Sequence, residues 1–281
     1  MTSVAIAQLS GPPDGGAANR ERSIEAAREA FARGTQVVVL PELIVPGYSW
    51  QRDVVESGAE PIDGETVSAW TEVARKAGGY IAGGLAEREG DSLYNAAVLV
   101  GPEGVALHYR KLHLFAGEKG VFTPGDLGLP VARTPLGVVG LCVCYDLRFV
   151  ETLRVLALRG AELVCVPTAW VSGFDAERWD TDGYAPQARS TLVQANLDQV
   201  FVACASQAGM HGEFEFLGSS IVADPRGRCL AGPLARDRDE TAIADVDFGE
   251  AHAAHDRGGA VLPRTDRRTD VYALAVGPER L

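Results

Sequence analysis

One of the five cysteines in this chain differs from the rest by where it falls. In GVVGLCVCYDLRFVETLRVLALRG an apolar run closes at Cys144 and a helical pattern opens within a few residues. A nucleophile on a tight strand-to-helix turn is presented at a sheet edge, where the next backbone N–H, that of Tyr145, can serve an oxyanion. Cys142 and Cys165 lie inside their apolar runs and read as packed core thiols. Two other strand ends carry ionisable groups. QVVVL leads through Pro41 into Glu42, a carboxylate directly after four apolar residues. Burying it is costly unless it is paired; a loop cap or a surface pair is the plain alternative. VALHYRKLHLFAGEKGVFTPG sets Lys111 seven residues before Glu118, inside a loop punctuated by Gly and Pro. Its basic cluster of His108, Arg110, Lys111 and His113 also fits a solvated face. An ordinary thiol, with a pKa of about 8.5, is mostly protonated at neutral pH. A carboxylate can take that proton, and an ammonium stabilises a neighbouring thiolate by charge.

The elements that must position these groups are short. VAIAQL, QVVVL, YIAGGLAE, NAAVLV and VALHY read as strands, as do VVGLCVC, ELVCVP, QVFVACAS, SSIVADP and TAIADV. Each is β-branched and bounded by Gly, Pro, Asp or Asn. Several are apolar on both faces, as in a sheet covered on each side. Helical spacing appears in RSIEAAREAFARG, with Gly34 as its stop, and in ETVSAWTEVARKAGG, ETLRVLALRG and QARSTLVQANLDQ. This mixture predicts an α/β protein with antiparallel additions, its site at the carboxyl ends of strands. We read residues 1–281 as a single domain, with 256–281 as a C-terminal arm over the surface.

Bulk composition narrows the partners. The formal net charge is −12 and the basic residues are scattered, which speaks against nucleic acid and anionic membranes. The cysteines lack paired CxxC spacing, and no zinc or disulfide framework is expected. His252 and His255 fall at i, i+3 without an acidic or Cys partner spaced to complete a metal site. His211 reads as a loop residue near a pocket entrance, and His113 as a packing or orienting group. MTSVAIAQLSGPP has no basic n-region, and no stretch approaches the ~20 apolar residues that span a bilayer. The expected setting is a reducing cytoplasm.

Taken together, PELIVPGY, YRKLHLF followed by Glu118, and CYDLRF resemble the nitrilase superfamily of carbon–nitrogen hydrolases. The resemblance covers nearly the whole chain, including YNAAVLVGPEG, AELVCVPTAW and GSSIVADPRG. It implies a four-layer αββα sandwich, commonly paired into a homodimer through its helical layer. It also implies Glu42 as general base, Lys111 as catalytic lysine, Cys144 as nucleophile and Glu118 as a second glutamate that orients lysine and substrate. Val150 stands where many members have Pro, at the start of a helix. CYD, rather than a Trp-Glu pair after the nucleophile, is similar to the amidase-like branches. The expected activity is release of ammonia from a small carboxamide through a thioester on Cys144, with no cofactor. An N-carbamoyl (ureido) amide hydrolase or a nitrilase would use the same four residues, and a non-catalytic binding protein on this fold is a distant alternative. Lys111 and the Tyr145 N–H would hold the oxyanion. Tyr48, Trp50, Trp170, Phe174 and Trp179 are candidates for an aromatic pocket wall.

Overall fold

The structure, a computed structural model, describes residues 1–13 and 15–281. Its strands make two six-stranded sheets. In the first, β1 (Thr2–Gln8), β2 (Val37–Val39) and β3 (Tyr80–Glu89) run parallel. β4 (Ser92–Gly101) and β5 (Gly104–Arg110) continue it as an antiparallel meander. In the second, the edge strand β6 (Val131–Thr134) pairs antiparallel with β7 (Gly137–Leu141). β7 runs parallel to β8 (Leu163–Thr168) and β9 (Phe201–Ser206). A hairpin of β10 (Ala208–His211) and β11 (Phe214–Leu217) stands apart. β12 (Ile221–Ala223) and β13 (Cys229–Ala231) close the far edge of the second sheet, and β14 (Glu240–Val246) pairs with β1.

Alternation along the strands separates the layers. Val4, Ile6, Val37, Val39, Ala97 and Leu99 turn inward to the second sheet, joining Leu141, Val164 and Val166 in one core. The intervening Ala5, Ala7, Val38, Ile81, Val98 and Val100 face the other way. There they meet α1 (Gly16–Ala32) and α3 (Glu65–Ala77) through Ile24, Ala27, Val67 and Trp70. Between α1 and α3 lies the short α2 (Arg52–Gly58). α4 (Val150–Leu158) and α5 (Pro186–Asp198) cover the outer face of the second sheet with Leu153, Leu156, Ala188 and Leu192. With helices on both outsides, neither sheet keeps a polar face, which is why the strands read as continuous apolar runs. The architecture is the four-layer αββα sandwich.

Several elements escape the sequence pattern. α2, β6, β13 and the β10–β11 hairpin are short or half polar, and the strand in QVVVL stops at Val39 because the chain turns toward Glu42. The run VVGLCVC pairs only as far as Leu141, three residues before the turn that Cys144 opens. The short helical pattern around His252 is α6 (Phe248–Ala254). Residues 256–281 form turns and a two-residue hairpin, fastened where Arg264 donates to Ala157 O and Asp198 O, each at 2.9 Å. No helix among the described residues is long and apolar enough to cross a membrane.

The close approach that matters most for the site is at Gly84. A Cβ there would lie 2.6 Å from Glu42 Cα and 2.8 Å from both Leu43 N and Pro41 O, so β3 passes against the backbone that carries Glu42. Gly84→Ala is expected to push that segment away, at about 1–3 kcal/mol of stability, the usual range for overpacking. Urea titration alongside activity checks this: both fall together, and an Ala variant with wild-type stability and activity would refute the close approach.

Candidate active site

Three chain segments reach one end of the sandwich because β2, β5 and β7 all point their carboxyl ends there. β5 shares the direction of β2 and β3, since two antiparallel steps separate it from β3. Glu42 N donates to Thr168 O at 3.2 Å, joining the ends of β2 and β8 across the two sheets. Gln207 Nε2 donates to Glu42 O at 2.9 Å and locks the same segment from β9's side.

Lys111 is the hub. Its Nζ donates to Glu42 Oε1 at 2.6 Å and to Glu118 Oε1 at 2.9 Å, and all three side chains are sealed from solvent. Burial alone would depress the Lys111 ammonium, but the charges of Glu118 and Glu42 outweigh it and raise its pKa. Burial raises Glu118 above the usual carboxylate range, opposed by Lys111 and reinforced by Glu42. Glu118 Oε1 also accepts from the Tyr48 hydroxyl at 2.8 Å, and its Oε2 accepts from Phe115 N at 3.0 Å. Trp50 Nε1 donates in turn to Tyr48 Oη at 3.2 Å. Asn95 Nδ2 donates to Glu42 Oε1 at 2.7 Å. Oε1 therefore carries two donors, while the buried Oε2 has no partner among the described residues.

Cys144 opens a 3-10 turn, Cys144–Arg148, with φ 44°, the left-handed region that costs a non-glycine residue about 1–2 kcal/mol. Burial raises its thiol well above the usual value, and the Glu42 charge adds to this. Lys111 and the Ala169 backbone pull it down, and Glu118 raises it again. The cysteine lines a narrow, partly open cleft together with Leu147, Ala169 and Val171. Tyr145, Phe115 and Phe174 form an edge-to-face aromatic wall with centroids 5.2–6.0 Å apart. Trp170 and Tyr48 line it as well.

Most of the residues singled out in the sequence thus meet here: Glu42, Lys111, Glu118, Cys144, Tyr145, Tyr48, Trp170 and Phe174. Two aromatic candidates do not. Trp50 lines an adjoining depression and acts through Tyr48, and Trp179 spends its Nε1 on Leu217 O at 3.0 Å, with Arg236 over its ring. His211 bonds Ala208 O within its hairpin and does not line the cleft. The basic cluster is no solvated face: Arg110 and Lys111 are 4% and 1% exposed, and Arg110 pairs with Glu87. Asn95, Gln207, Phe115, Arg148 and Gln187 went unassigned in the sequence. Of these, Phe115 and Arg148 carried a usable signal, lying within YRKLHLF and CYDLRF. No cluster of three or more His, Cys, Asp or Glu among the described residues could hold a metal ion; His252 pairs with Glu162.

The sequence profile of the carbon-nitrogen hydrolase family matches residues 3–256. The chain is 36% identical to a nitrilase of Pyrococcus abyssi (strain GE5 / Orsay) over 253 residues, 88% of this chain and 90% of that protein. It is 32% identical to an (R)-stereoselective amidase of Pseudomonas sp over 254 residues, 89% and 87% of the two chains. Among solved structures, the amidase of Nesterenkonia sp. superposes with a TM-score of 0.76 at 26% identity, covering 96% of this chain and 94% of that one. Nit3 of Saccharomyces cerevisiae, a member of branch 10 of the nitrilase superfamily, superposes with a TM-score of 0.80 at 26% identity, covering 94% and 96%. Fold and profile together define an enzyme of the nitrilase superfamily. The chain belongs to the carbon–nitrogen hydrolase family, and the relatives it is similar to include a nitrilase and amidases.

Removing the hub leaves two carboxylates facing each other without water. Lys111→Met is expected to cost about 3–5 kcal/mol at neutral pH, as for a broken buried pair. Without the ammonium, folded-state carboxylate pKa values rise above their unfolded values, so the variant binds more protons when folded and regains stability as pH falls. Chemical denaturation at pH 7.5 and pH 5.5 checks this; a deficit that stays constant or widens on acidification contradicts it.

Proposed function

We propose that this enzyme hydrolyses small carboxamides to the acid and ammonia, with Cys144 as nucleophile, Glu42 as the acid–base group, Lys111 as the cationic stabiliser and Glu118 as its anchor. The observation that carries this reading is the division of labour at Glu42. Its Oε1 is saturated by Lys111 and Asn95, which leaves the unpartnered Oε2 to take and return a proton. As the Cys144 sulfur attacks the amide carbon, its proton passes to Glu42 and the carbonyl electrons move to oxygen. Lys111 and the Tyr145 N–H hold that oxyanion; each good donor lowers the barrier by about 3–4 kcal/mol. The C–N bond then breaks, Glu42 protonates the nitrogen, and ammonia leaves a thioester on Cys144. Water loses a proton to Glu42 as it adds to the thioester. Collapse expels the sulfur, which recovers the proton, and frees the acid. One carboxylate serves both halves, so no histidine is required.

The aromatic wall supports a compact acyl group. A mutant of the Nesterenkonia sp. AN1 amidase carries the acetamide moiety of fluoroacetamide covalently at its active-site cysteine, which supports the same role for Cys144. Similarity to the Pyrococcus abyssi nitrilase favours a second reading, nitrile hydrolysis by the same four residues. We read the chain further as a single-domain cytoplasmic homodimer with 256–281 as an arm. The exposed Val193 and Leu197 on the outer face of α5 support pairing through the helical layer.

Ammonia release from simple amides, N-carbamoyl amino acids and nitriles separates the substrate classes, with amides expected to turn over best. Cys144→Ala is expected to abolish turnover and the acyl adduct seen by intact mass. Glu42→Gln, which keeps the shape, is expected to lower kcat by about 10²–10⁴-fold. An equal adduct on the Cys144→Ala variant would remove the nucleophile assignment, and faster nitrile than amide turnover would favour the second reading.

A further inference from the structure

Asp146 takes no part in the steps above, yet its side chain is fully buried two residues after the nucleophile. Both oxygens are fully engaged. Oδ2 accepts from Val143 N at 2.9 Å and from the Tyr109 hydroxyl at 2.7 Å. Oδ1 accepts from His113 N at 3.1 Å and from the His113 ring Nδ1 at 2.8 Å. Tyr109 Oη also accepts from Leu112 N at 3.3 Å. The His113 ring stacks on Phe149 with centroids 3.6 Å apart and planes 12° from parallel, which fixes its orientation.

The partners are telling. Tyr109 and His113 flank Lys111 by two residues on either side, and Val143 directly precedes Cys144. Capping the turn needs only the Val143 bond; the other three bonds run to the lysine segment. Cys144 holds a left-handed conformation that persists only where the surroundings over-determine it. A carboxylate bonded to both segments supplies that constraint and fixes the distance between them.

The geometry points to Asp146, with His113, as a positioning pair that ties the Cys144 turn to the Lys111 segment. The inference rests on the catalytic roles proposed above for Cys144 and Lys111. Asp146 touches neither substrate nor reacting atoms; it acts by keeping the Tyr145 N–H and the Lys111 ammonium aimed at one oxyanion position. Misplacing such groups by about 1 Å costs on the order of 100-fold in rate.

Asp146→Asn keeps one acceptor but turns an NH₂ toward donors, breaking bonds to the lysine segment. Its kcat per active site, with sites titrated by adduct formation at Cys144, is expected to fall about 100-fold while KM moves little. His113→Phe keeps the stack on Phe149 and loses the ring bond; its kcat is expected to fall less. Because both break one link, the double variant is expected to match Asp146→Asn alone rather than multiply the two losses. A wild-type kcat per titrated site in both variants, or fully multiplicative losses, would overturn the inference. If Asp146→Asn does not fold, His113→Phe decides by the same split of kcat from KM. Should wild-type enzyme turn over no amide, carbamoyl compound or nitrile, the catalytic reading itself fails. The coupling is then read from the rate of Cys144 alkylation by iodoacetamide, expected to be slower in both variants and unchanged if the pair only stabilises the fold.

Discussion

Lys111 holds its ammonium 2.6 Å from one buried carboxylate and 2.9 Å from another, with no access to water. Three ionisable groups taken out of solvent are tolerable only if each satisfies the others, since an uncompensated buried charge costs several kcal/mol. Two acids and one cation leave the cluster formally short of positive charge, and that imbalance reaches the thiol. Burial and the Glu42 charge raise Cys144 more than Lys111 and the Ala169 backbone lower it. In the proposed reaction the sulfur therefore starts as a thiol and gives up its proton as it attacks, when negative charge moves to an oxygen that Lys111 can hold.

The fold exists around this cluster as two sheets whose carboxyl ends meet. Glu42 comes from β2, Lys111 follows β5, and Cys144 follows β7, so no single element could hold the set. The cross-sheet bonds from Glu42 N to Thr168 O and from Gln207 Nε2 to Glu42 O hold the two sheets in register at the site. Gly84 lets β3 pass within contact of the Glu42 backbone. Around the cysteine, Phe115, Tyr145 and Phe174 wall the cleft with aromatic surface.

In the sequence, Glu42 and Cys144 stood out as polar groups closing apolar runs and Lys111 as part of a basic cluster ahead of a loop punctuated by Gly and Pro, while their roles came from the resemblance of the three motifs. Their supports did not stand out. Asn95 reads as one more residue of an apolar strand, and only the register that brings Lys111 N to Asn95 O reveals that its side chain reaches Glu42. Asp146 reads as part of a turn until Tyr109 and His113 are folded onto it. Trp50 and Trp179 follow site residues closely along the chain, yet the backbone carries both out of the cleft. Strands apolar on both faces announced sheets covered on each side, and the four layers came from the resemblance to the nitrilase superfamily, whereas the short strands β6 and β13 and the β10–β11 hairpin lack the length that makes a period visible.

The central claim is that the Cys144 sulfur is protonated at rest because burial, with two buried carboxylates beside it, outweighs one ammonium. Ultraviolet difference absorbance of thiolate between wild type and Cys144→Ser, followed from pH 5 upward, reads that state directly. The account predicts no Cys144 thiolate at neutral pH, with its absorbance rising only beyond about pH 8.5, the ordinary thiol value. A thiolate signal already complete at pH 6 would contradict it.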